Sequence, residues 1–150
     1  MARIKKTRLL VIHGPNLHLL GKREPHIYGK TALSEINKRL RLVAKRRGVT
    51  IVIKQSNLEG EIVDFITKAK VRYQGLLINP GAYTHTSVAI RDAIVASQIP
   101  TVEVHLSNIY CREEFRRHSL ISPVAKGVVL GFGPGSYTLG LEALIDLITG

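Results

Sequence analysis

The sequence predicts an α/β domain with a flavodoxin-like sheet: five parallel strands in the order 2-1-3-4-5, flanked by helices on both faces. Three observations carry this. Short apolar runs of the kind buried on both faces of a parallel sheet recur along the chain. Amphipathic stretches alternate with them, giving βαβ units with right-handed crossovers. A length of 150 residues, 45% of them hydrophobic, suits one domain, 1–150, with a substantial core.

The first strand is expected at about Arg8–His13, where Leu9-Leu10-Val11-Ile12 is continuously apolar. Gly14-Pro15-Asn16 ends it and opens a loop to Gly29. Most βα loops have about 2–6 residues, so residues 17–29 read as an active-site lid, with Leu17, Leu19, Leu20 and Ile27 able to close onto something. Thr31 is the expected cap of a helix to Arg47, with Leu33, Ile36, Leu40 and Val43 as its apolar stripe and Gly48 as its stop. The second strand is Val49–Lys54. Ser56-Asn-Leu-Glu59 has capping-box spacing before a helix to about Arg72. The third strand, Gly75–Asn79, stops at Pro80-Gly81, and a helix follows from about Thr84 to Ser97. The fourth strand is Thr101–His105, with a short helical turn expected at Arg112–Arg117. The fifth strand is Gly127–Phe132, and the last helix, Tyr137–Ile148, is expected to pack through Leu141, Leu144, Leu147 and Ile148.

Composition narrows the class. One cysteine, Cys111, rules out an internal disulfide framework and a cysteine zinc cage. No apolar stretch approaches the ~20 residues of a membrane span, and the basic start (residues 1–7) lacks a signal peptide's apolar region, so a cytoplasmic protein is expected. The net charge of +11 is uneven. Residues 1–50 hold 13 Lys and Arg against 2 Asp and Glu, whereas residues 51–150 hold 9 of each. Such a patch can steer an anionic small molecule. The alternative is a non-catalytic flavodoxin-like module that binds nucleotide or nucleic acid through its basic N-terminal third, but no aromatic-studded groove or recognition motif accompanies the charge.

The unusual polar residues fall after strands 1, 3 and 4, where open α/β sheets bind ligands. Strand 1 leads to Asn16, Arg23 and Tyr28; strand 3 ends at Asn79, before Gly81 and His85; strand 4 contributes Glu103 and His105, with Ser107, Arg112 and Arg116 beyond. Glu103 and His105 share one strand face, so the carboxylate can orient the imidazole as a general acid. Read singly, each has a plainer explanation: a satisfied structural histidine, a packed tyrosine, turn asparagines. Together they describe a cofactor-free site with a candidate base, a candidate acid and arginines suited to an anion. No dinucleotide or Walker glycine motif follows the first strand, and Gly131-Phe-Gly-Pro-Gly135 reads best as a tight turn.

Four blocks, GPNLHLLGKREPHIYG, QSNLEGEIVDFI, INPGAYTHTSVAIRDA and VEVHLSNIYCREEFRRHS, resemble type II 3-dehydroquinate dehydratase. They lie in family order, and with the strands and helices between them they cover nearly the whole chain. The resemblance implies trans elimination of water from 3-dehydroquinate to 3-dehydroshikimate through an enolate, as in the shikimate pathway, with some relatives serving quinate breakdown. It implies no cofactor, no metal and no Schiff-base lysine. It makes Tyr28 the base, Arg23 the neighbour that favours its phenolate, and Asn16 the holder of a water against the enolate oxygen. His105 becomes the acid, oriented by Glu103. The backbone of Leu106 and Ser107 holds the substrate carboxylate, Asn79, His85 and Arg116 bind ring hydroxyls, and Gly81 permits close approach. Asp92 reaches a neighbouring subunit's site, and Arg112 lies near the closed lid. The implied assembly is a homododecamer of four trimers. His18 departs from the family's usual asparagine.

Overall fold

The computed structural model describes residues 5–150, and the five strands form one parallel sheet. Strand β1 (Arg8–His13) lies between β2 (Thr50–Gln55) and β3 (Gly75–Asn79); β4 (Thr101–His105) and β5 (Gly127–Leu130) continue to the far edge, giving the order 2-1-3-4-5. In register, His13 pairs with Asn79, so these strands finish level and present their last residues together.

Side chains alternate across the sheet and divide the core in two. Leu9, Val11, Leu77, Val102 and Val104 face one helix layer, α2 (Leu33–Arg47) with α5 (Pro134–Thr149). Leu10, Ile12, Leu76 and Ile78 face the other, α3 (Glu59–Thr67) with α4 (Val88–Ser97). Both faces being covered explains why the strands read as continuous apolar runs.

Several local expectations are corrected. Thr31 does not cap α2; Ala32 holds that place with no side-chain bond, and the helix ends as expected at Gly48, φ 70°. The Ser56–Glu59 box does not form, because Ser56 Oγ accepts from the Leu58 amide (3.0 Å) in a local turn, leaving Leu58 as the cap. Helix α3 ends at Thr67, and a separate 3-10 turn, Ala69–Val71, replaces its continuation. The segment after β3 is likewise split: Gly81–His85 is a 3-10 turn, and α4 starts at Val88 where Ser87 Oγ accepts from the Ile90 amide (2.9 Å). Val88 and Val95 of this helix are exposed. Strand β5 stops at Leu130, before Gly131 turns the chain at φ 93°. Helix α5 begins at Pro134, a residue whose fixed φ suits a first turn, and its Leu147 faces solvent.

The charge asymmetry of the sequence is also reduced by folding. Arg46 and Arg47, at the end of α2, pair with Glu142 and Asp146 of α5. Among the described residues no helix is long and apolar enough to cross a membrane. Of the basic start 1–7, residues 1–4 lie outside the described residues.

Candidate active site

The site forms where the loops after β1 and β3 touch. Gly14 N donates to Asn79 O at 2.8 Å, and a Cβ on Gly14 would stand 2.5 Å from Pro80 O. Gly81, at φ +59°, approaches Pro15 less tightly, with 3.2 Å from its notional Cβ to Pro15 O. These two glycines let the loops meet backbone to backbone. Asn16 sits in the left-handed region, φ 66°, which asparagine tolerates, and its amide donates to Asn57 Oδ1 (3.0 Å).

From there the long loop runs as two short pieces, a 3-10 turn (Leu17–Leu19) and a single helical turn, α1 (Pro25–Tyr28). Leu17 and Leu20 are buried and pack on the α2–α5 side of the core, with Tyr28 against them, whereas Leu19 is exposed. The loop is thus seated by its apolar residues.

A cavity of about 220 Å³ opens between these parts. Eleven of the thirteen residues singled out from the sequence line it: Asn16, Arg23, Tyr28, Asn79, Gly81, His85, His105, Leu106, Ser107, Arg112 and Arg116. Glu103 stands directly behind His105, and Asp92 lies outside the cavity, on the exposed side of α4 beside Arg91. Pro15, Leu17, Ala82 and Ile109 complete the wall.

The tyrosine and histidine reach the cavity from different elements, α1 and β4. Arg112 donates to the Tyr28 hydroxyl at 2.8 Å, and the Arg23 guanidinium lies over the Tyr28 ring, 4.9 Å from its centroid. Arg112 is thus the guanidinium in direct contact with the phenol oxygen, whereas Arg23, the neighbour implied by the resemblance, lies over the ring. Both arginines carry weak rim partners, Glu24 at 3.5 Å and Glu113 at 3.7 Å, that leave their charge largely for the cavity. Arg116 adds a third cation, 3.0 Å from Glu113 but with its Nε lacking a hydrogen-bond partner.

His105 Nε2 lies 2.6 Å from Glu103 Oε2, which leaves Nδ1 free of that bond. Burial works to raise the pKa of Glu103, but the bond to His105 and the hydroxyls of Ser122 and Thr84 outweigh it and hold the carboxyl below its usual range. Thr84 donates at 2.7 Å, Ser119 sits within 3.1 Å of both carboxylate oxygens, and Ser122 also donates. These three hydroxyls were missed by sequence reasoning. Their only signal was indirect: a carboxylate on a buried strand needs donors, and serines 16 and 19 residues downstream carry no motif that says so. His85, in the cavity lining, donates from Nδ1 to the His118 carbonyl (2.8 Å), and burial lowers its pKa despite that bond, which leaves Nε2 as an acceptor at neutral pH. Chemically, one cavity holds a phenol bonded to a guanidinium, an imidazole bonded to a carboxylate, and two further arginines.

Comparison with known proteins gives a consistent answer. The model of the class II dehydroquinase family matches residues 7–145. The chain belongs to that family. It is 61% identical over 140 residues to the 3-dehydroquinate dehydratase of Trichodesmium erythraeum, covering 93% of each chain, and 61% identical over 140 residues to that of Gloeothece citriformis, covering 93% of this chain and 92% of the other. Among solved structures, the type II dehydroquinase from Butyrivibrio crossotus superposes with a TM-score of 0.89 at 41% identity, over 97% of this chain and 99% of that one. The fold agrees with these dehydroquinases, and the comparisons do not favour a non-catalytic module binding nucleotide or nucleic acid.

Proposed function

We propose that this chain catalyses the trans elimination of water from 3-dehydroquinate to give 3-dehydroshikimate, the dehydratase step of the shikimate pathway. The observation that carries the reading is the shared cavity: a Tyr28 hydroxyl bound by Arg112 and a His105 imidazole bound by Glu103, with three arginines in the same lining.

The chemistry follows from that placement. A proton α to a ketone is weakly acidic, so its removal needs a strong base and a stabilised enolate. Tyr28, as phenolate, takes the C2 proton; Arg112 and Arg23 put positive charge where that phenolate forms. Asn16 holds a water against the enolate oxygen. The enolate then re-forms the ketone and the new carbon–carbon double bond as the C1 hydroxyl departs, accepting a proton from His105 to leave as water. Glu103 holds the imidazolium produced when His105 recovers a proton, and Tyr28 returns its own to solvent. Leu106 and Ser107 bind the substrate carboxylate through backbone, and Arg116, His85 and Asn79 hold the ring hydroxyls. Residues 17–29 act as the lid that excludes water. No cofactor or metal enters this scheme. Asp92, exposed on its own subunit, completes a neighbouring site in a homo-oligomer, the dodecamer of four trimers implied for this family, and the enzyme works in the cytoplasm.

The direct test is incubation with 3-dehydroquinate while the absorbance of the conjugated enone is followed. Appearance of the enone under chelating conditions is expected; a folded protein that produces none defeats the reading. Sedimentation of the purified protein checks the assembly, and a monomer at assay concentration would remove Asp92 from the scheme.

A further inference from the structure

Beneath the cavity, on the α2–α5 side of the sheet, lies a polar chain that the reaction scheme does not use. His13, the last residue of β1, is fully buried. Its Nδ1 is 2.8 Å from the hydroxyl of Tyr137 in α5, and its Nε2 is 2.7 Å from Oδ1 of Asn37 in α2. Asn79, which pairs with His13 in the register of β1 and β3 and lines the cavity, acts on the same hydroxyl: burial raises the Tyr137 pKa, and hydrogen bonding from Asn79 works against that rise. Asn79 Oδ1 in turn accepts from the Gly81 amide at 3.0 Å.

The direction of every proton in this chain can be read from one end. A backbone amide only donates, so Asn79 must offer Oδ1 to Gly81 and its NH2 group to Tyr137. The Tyr137 oxygen is then an acceptor, and its own proton needs another partner. Tyr137 is wholly buried, and the one partner left is His13 Nδ1. His13 Nδ1 is therefore unprotonated, and Nε2 carries the hydrogen given to Asn37.

We infer that His13 and Tyr137 are positioning residues for substrate recognition: they lock the Asn79 carboxamide so that it offers the cavity an N–H donor and never its carbonyl. The inference rests on the reading of Asn79 as a ligand for the substrate ring. It adds a polarity to it. Asn79 supplies a donor while His85 Nε2 supplies an acceptor, so the two walls require a hydroxyl that accepts at one and a hydroxyl that donates at the other. Burial reinforces the arrangement by lowering the His13 pKa to about 4, against the upward pull of Asn37. A protonated His13 would donate at Nδ1, reverse Tyr137 and release Asn79.

The test uses the intact protein and two variants. In ¹⁵N spectra, His13 is expected as the Nε2–H tautomer at neutral pH, and the Asn79 side-chain amide is expected to exchange slowly with water. Tyr137→Phe should abolish that protection and raise KM about five- to tenfold, the loss of one neutral hydrogen bond, with kcat within about twofold and the pH profile unmoved. His13→Gln, which also carries an acceptor beside a donor, should restore slow exchange and near-native KM, whereas His13→Leu should not. An Nδ1–H tautomer, or a folded Tyr137→Phe protein with Asn79 still protected and KM unchanged, overturns the inference. If the wild type protects Asn79 but never turns over dehydroquinate, the functional reading has failed and the hydrogen-bond chain stands.

Discussion

Two histidines end two strands of the same sheet, on opposite faces. His105 closes β4 and looks toward α3 and α4; His13 closes β1 and looks toward α2 and α5. Both are buried, at 7% and 0% exposure. Their partners differ. His105 meets the carboxylate of Glu103, itself supplied with three hydroxyls, whereas His13 meets a phenol and a carboxamide. Burial alone disfavours an imidazolium in either place. An ionised partner offsets that cost and makes His105 fit to carry and release a proton; neutral partners do not, and His13 stays a fixed element of structure. Equal depth with unequal partners therefore separates a group suited to exchanging protons from one suited only to holding geometry.

The largest expected effect breaks the catalytic side of this contrast. His105→Gln should lower kcat about a thousandfold, in the range for a lost general acid, with KM and thermal stability near those of the parent. Tyr28→Phe should do the same, with substrate still bound. Steady-state kinetics beside a melting curve checks both, and a Tyr28→Phe enzyme with native turnover would remove Tyr28 as the base.

Glu103→Gln should separate the two regions by stability. It strands Thr84, Ser119 and Ser122 around a neutral amide and removes the ionic partner of His105, which should cost about 3 kcal/mol of folding stability as well as most of kcat. Chemical denaturation at neutral pH measures the first; a variant as stable as the parent would show that the hydroxyl cage does not hold a charge. The sign with pH is set by the lowered Glu103 pKa. Its stabilisation is present above the ordinary carboxyl value of 4.5 and is lost as pH falls through the lower folded value.

A smaller effect distinguishes the two arginines at the phenol. Arg112→Gln removes the direct 2.8 Å bond to Tyr28, whereas Arg23→Gln removes a cation over the ring. The first should lower kcat about a hundredfold, comparable to losing one donor to a reacting oxygen, and the second less. Both should move the acidic limb of the pH–rate profile upward. Equal losses, or an Arg23 effect larger than that of Arg112, would show that the loop rearranges before chemistry.

How much of this could be read from the chain depended on the kind of force involved. Strand β1, β3 and β4 limits and the sheet order were legible because continuous apolar runs between helical stripes have few other uses. The cavity residues were legible because they sit just past strand ends in distinctive blocks. Helix starts were less so. Thr31 and Ser56 have the right chemistry for caps, but a hydroxyl also closes local turns, and at Ser56 the turn won. The serines around Glu103, the hydroxyl of Tyr137 and the part played by His13 depend on contacts between residues 16 to 124 positions apart, and local spacing holds no record of those. Nor could spacing decide which arginine touches Tyr28, because Arg112 stands 84 positions away, beyond β4.

The smallest effect tests the structural side of the contrast, through pH. A histidine whose folded pKa lies below its unfolded value of 6.5 contributes fully above 6.5 and is destabilising as pH falls toward its folded value of about 4, because only the unfolded chain takes up the proton in that interval. Between pH 7 and 5 this one group should lower stability by about 2 kcal/mol. Denaturant midpoints at the two pH values give the slope, and His13→Gln, which does not titrate, should flatten it by that amount while leaving the loss below pH 4.5, which belongs to Glu103. Were His13→Gln to leave the slope between pH 7 and 5 unchanged, His13 would be taking up its proton in the folded state, and a buried imidazole without an ionised partner would not stay neutral as the contrast with His105 requires.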